Sequence, residues 1–255
     1  MSYQFIAISI CDKRKEILKK QFVDLDIKAP LYFIENPSLI SNSQYYLPKY
    51  EMDNESLKVI CCSRDHIRAL EYACKDESPE FSIILEDDVA FHKTQFINGI
   101  EEIIANWETC ISPKKMVSLG WVPCNHYESY LSGYSKYTLK CVLGSKLLLD
   151  RFVPGTQAYM VRKKDVSQII KELIHPTFDE FKTHVNSLNF NHLSKNNELI
   201  AIDCYINRIL GQVVVYPPLA IEQETVSLIG HNNTQCYWNT FFKDYECIKK
   251  NYYTF

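Results

Sequence analysis

Glu86, Asp87 and Asp88 stand in a row directly after a short apolar run, Ser82 to Leu85. The run has the length and composition of a buried strand, so the three acids fall at its C-terminal end. Adjacent carboxylates disfavour one another's charge unless a cation offsets them. Hard oxygen donors suit Mg²⁺ or Mn²⁺, which take one or two carboxylates and leave positions for phosphate oxygens. In open α/β sheets, ligands bind in the crevice beyond the strand C-termini. The chemistry that fits is a metal-assisted nucleotide-diphosphate site; a solvated acidic turn is the plain alternative.

The elements around the triplet must place it. Tyr3 to Ile10 reads as a first strand feeding a helix from Lys13 to Val23, with Ile17, Leu18 and Phe22 on one face. Leu31 to Ile34 reads as a second strand, and 36–53 as a long surface loop rich in Pro, Ser, Asn and Tyr. Helical patterns span Ser63 to Lys75 and Thr94 to Trp107, either side of the acidic strand, and Met116 to Leu119 reads as another strand. That alternation predicts a mostly parallel α/β sheet covered by helices. Beyond it, 123–152 is aromatic and irregular, Gly155 to Val161 is strand-like, and Lys163 to Ile174 is helical. Ile202 to Leu210 reads as a short helix, Gln212 to Tyr216 as a strand, and 222–255 as a polar, aromatic tail. A single domain is expected, with 1–122 as a nucleotide-binding half and 123–255 as an acceptor-binding half and tail.

Composition narrows the partners. The 255 residues are 46% hydrophobic and 23% charged, as in a globular chain. A net charge of -3 with scattered Lys and Arg offers no footprint for nucleic acid. No apolar stretch approaches the roughly 20 residues of a bilayer span. The N-terminus lacks a basic region and a small-residue cleavage site, so it reads as a strand rather than a signal peptide. The ten cysteines show neither Cys-x-x-Cys nor zinc spacing. Most sit among apolar neighbours in the sequence, which fits a reduced, cytoplasmic setting. Two glycosylation sequons, at Asn54 and Asn232, are then expected to go unused.

The order of motifs resembles glycosyltransferase family 25, which includes lipopolysaccharide and procollagen galactosyltransferases. Ile84-Leu85-Glu86-Asp87-Asp88-Val89 is similar to the family's Glu-Asp-Asp motif, and Gly155-Thr156-Gln157-Ala158-Tyr159 to its Gly-x-x-Ala-Tyr segment. Cys62 to Leu70 is similar to a helical segment carrying a Ser-His pair, and Ile202-Asp203-Cys204-Tyr205 with Tyr216-Pro217-Pro218-Leu219 to the closing pattern. Two positions depart from it: Cys61 stands where the family has Gly, and Asp65 where it has Ser. Abundant Asn, Lys, Ile and Tyr with only seven Gly is in keeping with an AT-rich source such as a large DNA virus, whose host's cytoplasm would then be the setting.

The resemblance implies a GT-A-like fold, a UDP-sugar donor, Mn²⁺ or Mg²⁺, and inverting transfer of a hexose to a hydroxyl of a glycan, lipid-linked or protein acceptor. On that basis Asp88 is the expected metal ligand, with Asp87 beside it; His231, which no family motif fixes, is either a further ligand or a surface histidine in a loop. Ser9, Arg14, Glu86, Asp87, Gly155 and Gln157 are assigned to the donor. Asp203 is assigned as the base that deprotonates the acceptor, although Asp also caps helices well. His66 reads as helix packing or a hydrogen bond to the first loop, with a functional role as the lesser reading. The tyrosines at 127, 130, 134 and 137 are candidates for stacking on sugar rings. Two other readings are a non-catalytic nucleotide-sugar or sugar-binding module and a Mg²⁺-dependent phosphohydrolase. Against the latter, the chain has no second acidic cluster of comparable density.

Overall fold

The computed structural model describes residues 2–9, 11–34, 54–120, 138–144, 146–150, 155–170, 206, 209–223 and 249–253. The first stretch forms β1 (Tyr3–Ile8), α1 (Asp12–Asp24), β2 (Leu31–Phe33), α2 (Asn54–Ala73), β3 (Phe81–Glu86) and β4 (Val89–Phe91). Then come α3 (Phe96–Ala105), a π-helical turn (Trp107–Ile111) and β5 (Met116–Gly120). The second stretch adds β6 (Thr138–Leu143), β7 (Lys146–Asp150), β8 (Ala158–Arg162), α4 (Lys163–Ser167), β9 (Gln212–Tyr216) and β10 (Ala220–Glu222).

The ten strands of the described residues join one sheet, in the order β2-β1-β3-β8-β5-β9-β7-β6, with β10 pairing β5 and β4 off that path. The fold is mixed α/β. β2, β1 and β3 are mutually parallel, as the strand-helix-strand alternation predicts. β8 then lies antiparallel between β3 and β5, and β7 antiparallel to β9. Along the path only β8 and β7 oppose β3, so the expected common direction holds for most strands while many neighbouring pairs are antiparallel. β8 comes from the second stretch of the chain, so strands from both expected halves interleave.

Period-two alternation explains the two layers of core. Phe5 and Ala7 of β1, with Ile83 and Leu85 of β3, pack with Leu18 and Phe22 of α1 and Phe96, Ile100 and Ile103 of α3. Ile6 and Ile8, with Ile84, face the opposite way and meet Ala69, Leu70 and Ala73 of α2. Phe91 and Phe96 stack at 3.9 Å between centroids. Each such fully buried side chain contributes about 1.5–3 kcal/mol. The Gln and Ser side chains buried within the strands are paired with one another, Gln4 with Ser82 and Gln212 with Ser118.

Several expectations need correction. α2 begins at Asn54, well before Ser63. The span 123–152, read as irregular, contains the β6–β7 hairpin, turning at Gly144 with φ 55°. β4 and β10 were not anticipated, and Glu222 ends β10 rather than opening a tail. Cys110 is disulfide-bonded, at odds with a fully reduced set, while Cys11, Cys62 and Cys74 carry thiols outside any disulfide. Among the described residues no helix is long and apolar enough to cross a membrane.

Candidate functional site

β1 and β3 pair in parallel with Ile8 opposite Glu86, so the chain leaves both strands side by side. This places Ser9 next to Asp87, and the Ser9 hydroxyl donates to Asp87 Oδ2 at 2.5 Å. The Cys11 amide donates in turn to Ser9 Oγ at 3.3 Å, fixing the hydroxyl as α1 begins. One turn into α1, Arg14 Nη1 lies 3.0 Å from Asp87 Oδ1 and 3.5 Å from Asp88 Oδ2. Burial alone would lower the guanidinium pKa; the hydrogen bond to Asp87 and the charges of Asp88 and Asp87 outweigh it and raise it.

The backbone of the acidic turn is held from two further directions. The Gln21 and Gln223 side-chain amides both donate to the Val89 carbonyl, at 2.8 and 3.1 Å. The Gln223 amide donates to the Asp88 carbonyl at 2.6 Å. β10 runs antiparallel to β4 with Glu222 opposite Val89. Glu222 thereby joins Glu86 and Asp87 in acting on Asp88. Burial first, then the negative charges of Glu86, Glu222 and Asp87, push the Asp88 carboxyl well above the usual carboxylate range; Arg14 opposes them.

From the third side comes the segment preceding β8. Gly155 has φ 101°, a left-handed conformation that side chains rarely adopt. It leads into Thr156, whose hydroxyl donates to Glu86 Oε1 at 2.6 Å, and Gln157, whose carbonyl accepts from the Glu86 amide at 2.9 Å. From α2, fully buried His66 brings Nε2 to 3.4 Å from the same Glu86 Oε1. Its Nδ1 lies 3.2 Å from the Tyr159 hydroxyl.

Four buried side-chain polar atoms among the described residues make no hydrogen bond, and three of them, Asp88 Oδ1, Gln157 Oε1 and His66 Nε2, belong to residues gathered around the end of β3. An unsatisfied buried polar group costs about 1–3 kcal/mol, so a cation or hydroxyl ligand has most to offset here. Asp87 has both oxygens engaged, which makes Asp88 the better metal donor. Among the described residues no three of His, Cys, Asp or Glu assemble as a metal cage. One or two carboxylates with the remaining positions open is the habit of Mg²⁺ and Mn²⁺ beside phosphates, so the residues present fit that class of ion.

Of the residues singled out from sequence, Ser9, Arg14, Glu86, Asp87, Asp88, Gly155 and Gln157 converge on this rim. Asp203, His231 and the tyrosines at 127–137 lie outside the described residues. Glu222 is an addition that sequence reasoning missed, though Leu219-Ala220-Ile221-Glu222 repeats the pattern of an apolar run closed by an acid. A cleft of about 370 Å³ lined by Tyr3, Tyr32, Tyr72 and Pro79 opens elsewhere, at the other ends of β1 and β3. It contains none of the converging residues.

No protein-family model matches the chain, and no curated protein matches it. Among solved structures it is similar to A197 from STIV, at TM-score 0.41 and 11% identity over 84% of this chain and 81% of that one. It is also similar to a glycosyltransferase involved in glycosylation of the major capsid of PBCV-1, at TM-score 0.39 and 10% identity over 87% and 93%. A third likeness is to an active-site mutant of LgtC, at TM-score 0.35 and 8% identity over 93% and 94%. Likenesses this distant assign no activity to the chain.

Proposed function

We propose that the protein is a GT-A-like, metal-dependent glycosyltransferase that moves a hexose from a UDP-sugar, with inversion, to a hydroxyl of a glycan, lipid-linked or protein acceptor. The observation that carries this reading is Asp88 Oδ1: a buried carboxylate oxygen without a partner, among Glu86, Asp87 and Glu222, at the C-terminal end of a central strand. The motif order described above supports it from the sequence side.

In this reading Asp88 holds Mn²⁺ or Mg²⁺, with Asp87 beside it and His231 as a further ligand. The ion would supply charge neutralisation for the diphosphate leaving group. Arg14, fixed at the start of α1, presents a second positive charge to the diphosphate, and Ser9 holds Asp87 in place. Glu86 accepts hydrogen bonds from ribose or sugar hydroxyls. Gly155 lets the backbone approach the donor sugar, and Gln157 offers its amide there. Asp203 takes the proton from the acceptor hydroxyl as the new bond forms on the face opposite the leaving group.

Thermal unfolding with UDP and Mn²⁺ tests the donor half of this proposal. Each ligand alone should move the midpoint little. Together, at about a hundredfold over the dissociation constant, they should add roughly 2.7 kcal/mol. Equal stabilisation by UDP with and without metal would overturn the metal assignment. A chain that binds both but releases no UDP from any UDP-sugar and acceptor pair would be the non-catalytic binding module.

A further inference from the structure

His66 has no part in the reaction as proposed, yet it is wholly buried and one of its nitrogens faces the site. Its ring stacks on Tyr159 at 5.8 Å between centroids and 30° between planes. The Tyr159 hydroxyl is 3.2 Å from Nδ1, and Glu86 Oε1 is 3.4 Å from Nε2. The second contact is at ion-pair distance but leaves Nε2 without a formed hydrogen bond. Thr156 already donates to that same Oε1.

Resting on the glycosyltransferase reading, we infer that His66 is a positioning residue: its Nε2–H and the Thr156 hydroxyl together clamp the Glu86 carboxylate, which then serves as a hydroxyl acceptor for the donor and not as a metal ligand. A carboxylate oxygen can only accept, so the tautomer that suits both neighbours carries the imidazole proton on Nε2, toward Glu86 Oε1. Burial, then the nearby charge of Glu86, raise the Tyr159 phenol well above its usual range, so it keeps its proton. A phenol donating to Nδ1 makes that nitrogen an acceptor and leaves the imidazole proton on Nε2, facing Glu86. Because both partners are buried, Nε2–H is aimed at Glu86 before any ligand arrives. A small swing of the carboxylate, as it takes up a hydroxyl, brings the two within bonding geometry. Outer-shell donors of this kind fix the orientation of the group that touches the ligand.

The test uses full-length His66→Phe, His66→Gln, Glu86→Gln and the double variant His66→Phe with Glu86→Gln. UDP affinity at saturating Mn²⁺, and Mn²⁺ affinity alone, are read by titration calorimetry. His66→Phe should weaken UDP about tenfold, the lower end for an outer-shell change, and leave Mn²⁺ affinity within about twofold. His66→Gln, which keeps a side-chain donor, should recover most of the loss. In the Glu86→Gln background His66→Phe should add nothing. A full additional loss in that background, or a parallel fall in Mn²⁺ affinity, overturns the assignment. If His66→Phe does not fold, His66→Asn, too short to reach Glu86, takes its place in the same cycle. If the native chain binds neither UDP nor Mn²⁺, the glycosyltransferase reading fails on its own account. The clamp is then judged from the unfolding midpoints of the same four proteins, where additive shifts would overturn it.

Discussion

Opposite ends of β3 and β8 carry two charged clusters built in opposite ways. At one end Arg162, opposite Phe81, is buried and paired. Its guanidinium donates to Asp165 at 2.8 and 3.2 Å and to Glu108, lies over the Trp107 ring, and leaves Glu108 a second partner in Lys164. Hydrogen bonds from Arg162 and Lys164 lower the Glu108 pKa. At the other end, beyond Leu85 and Ala158, Glu86, Asp87 and Glu222 crowd Asp88, which is pushed up although Arg14 opposes them. Balanced charge, with each guanidinium nitrogen hydrogen-bonded, fastens α4 and the π turn to the sheet. Surplus charge with unmatched oxygens is, in the proposed reading, the place for the ion and the donor.

The largest expected effect breaks the balanced cluster. Arg162→Met removes a buried guanidinium from the half-buried Asp165 and the exposed Glu108, and should cost about 3 kcal/mol of stability, the upper end for hydrogen bonds to charged groups. At about 2–4 °C per kcal/mol for a chain of this size, calorimetry would register it plainly. UDP binding by the protein that remains folded should be unchanged; a selective loss of binding would mean the two ends are not independent.

Next comes the surplus cluster. Asp88→Asn should weaken Mn²⁺-supported UDP binding by more than the ~100-fold typical of an outer-shell change, and transfer should fall with it. The apo protein should gain stability, because a charge disfavoured by burial and three acids is gone. Full activity at ordinary Mn²⁺ would refute the ligand assignment.

The smallest effect sharpens the contrast through pH. The raised Asp88 pKa means the folded apo chain binds a proton there more tightly than the unfolded chain. That contribution is complete below the ordinary Asp range and is lost as pH rises through the raised value. The apo midpoint should therefore fall by a few degrees across that window, on the ~2–4 °C per kcal/mol scale. Saturating Mn²⁺ and Asp88→Asn should each flatten the slope. An unchanged slope in Asp88→Asn would place the titration elsewhere.

The acidic end was legible in the sequence because its signal is local: an apolar strand running straight into three carboxylates. The helix start at Arg14 and the Gly155-Thr156-Gln157 segment were legible for the same reason. Glu222 was not, because its relation to Asp88 depends on β10 pairing with β4, a contact between residues far apart in the chain. β4 and β10 are only three residues each, too short to show a period. The antiparallel β8 carries no mark of its direction, since Ala158–Arg162 is buried on both faces and reads alike either way. In β7 the run Lys146–Asp150 was masked by its tyrosine-rich surroundings, although its apolar residues are those of a strand. His66 was seen but its part was not, because only the fold sets it against Glu86.

The double grip on the Val89 carbonyl, by Gln21 from α1 and Gln223 beyond β10, has a bearing on kinetics. A turn pinned at its main chain from two elements has little backbone entropy left to lose, so docking there is a matter of side-chain torsions alone. Amide hydrogens at its margin, those of Phe91 on Gln21 Oε1 and Gln223 on the Asp88 carbonyl, should consequently exchange with deuterium as slowly before ligand arrives as after.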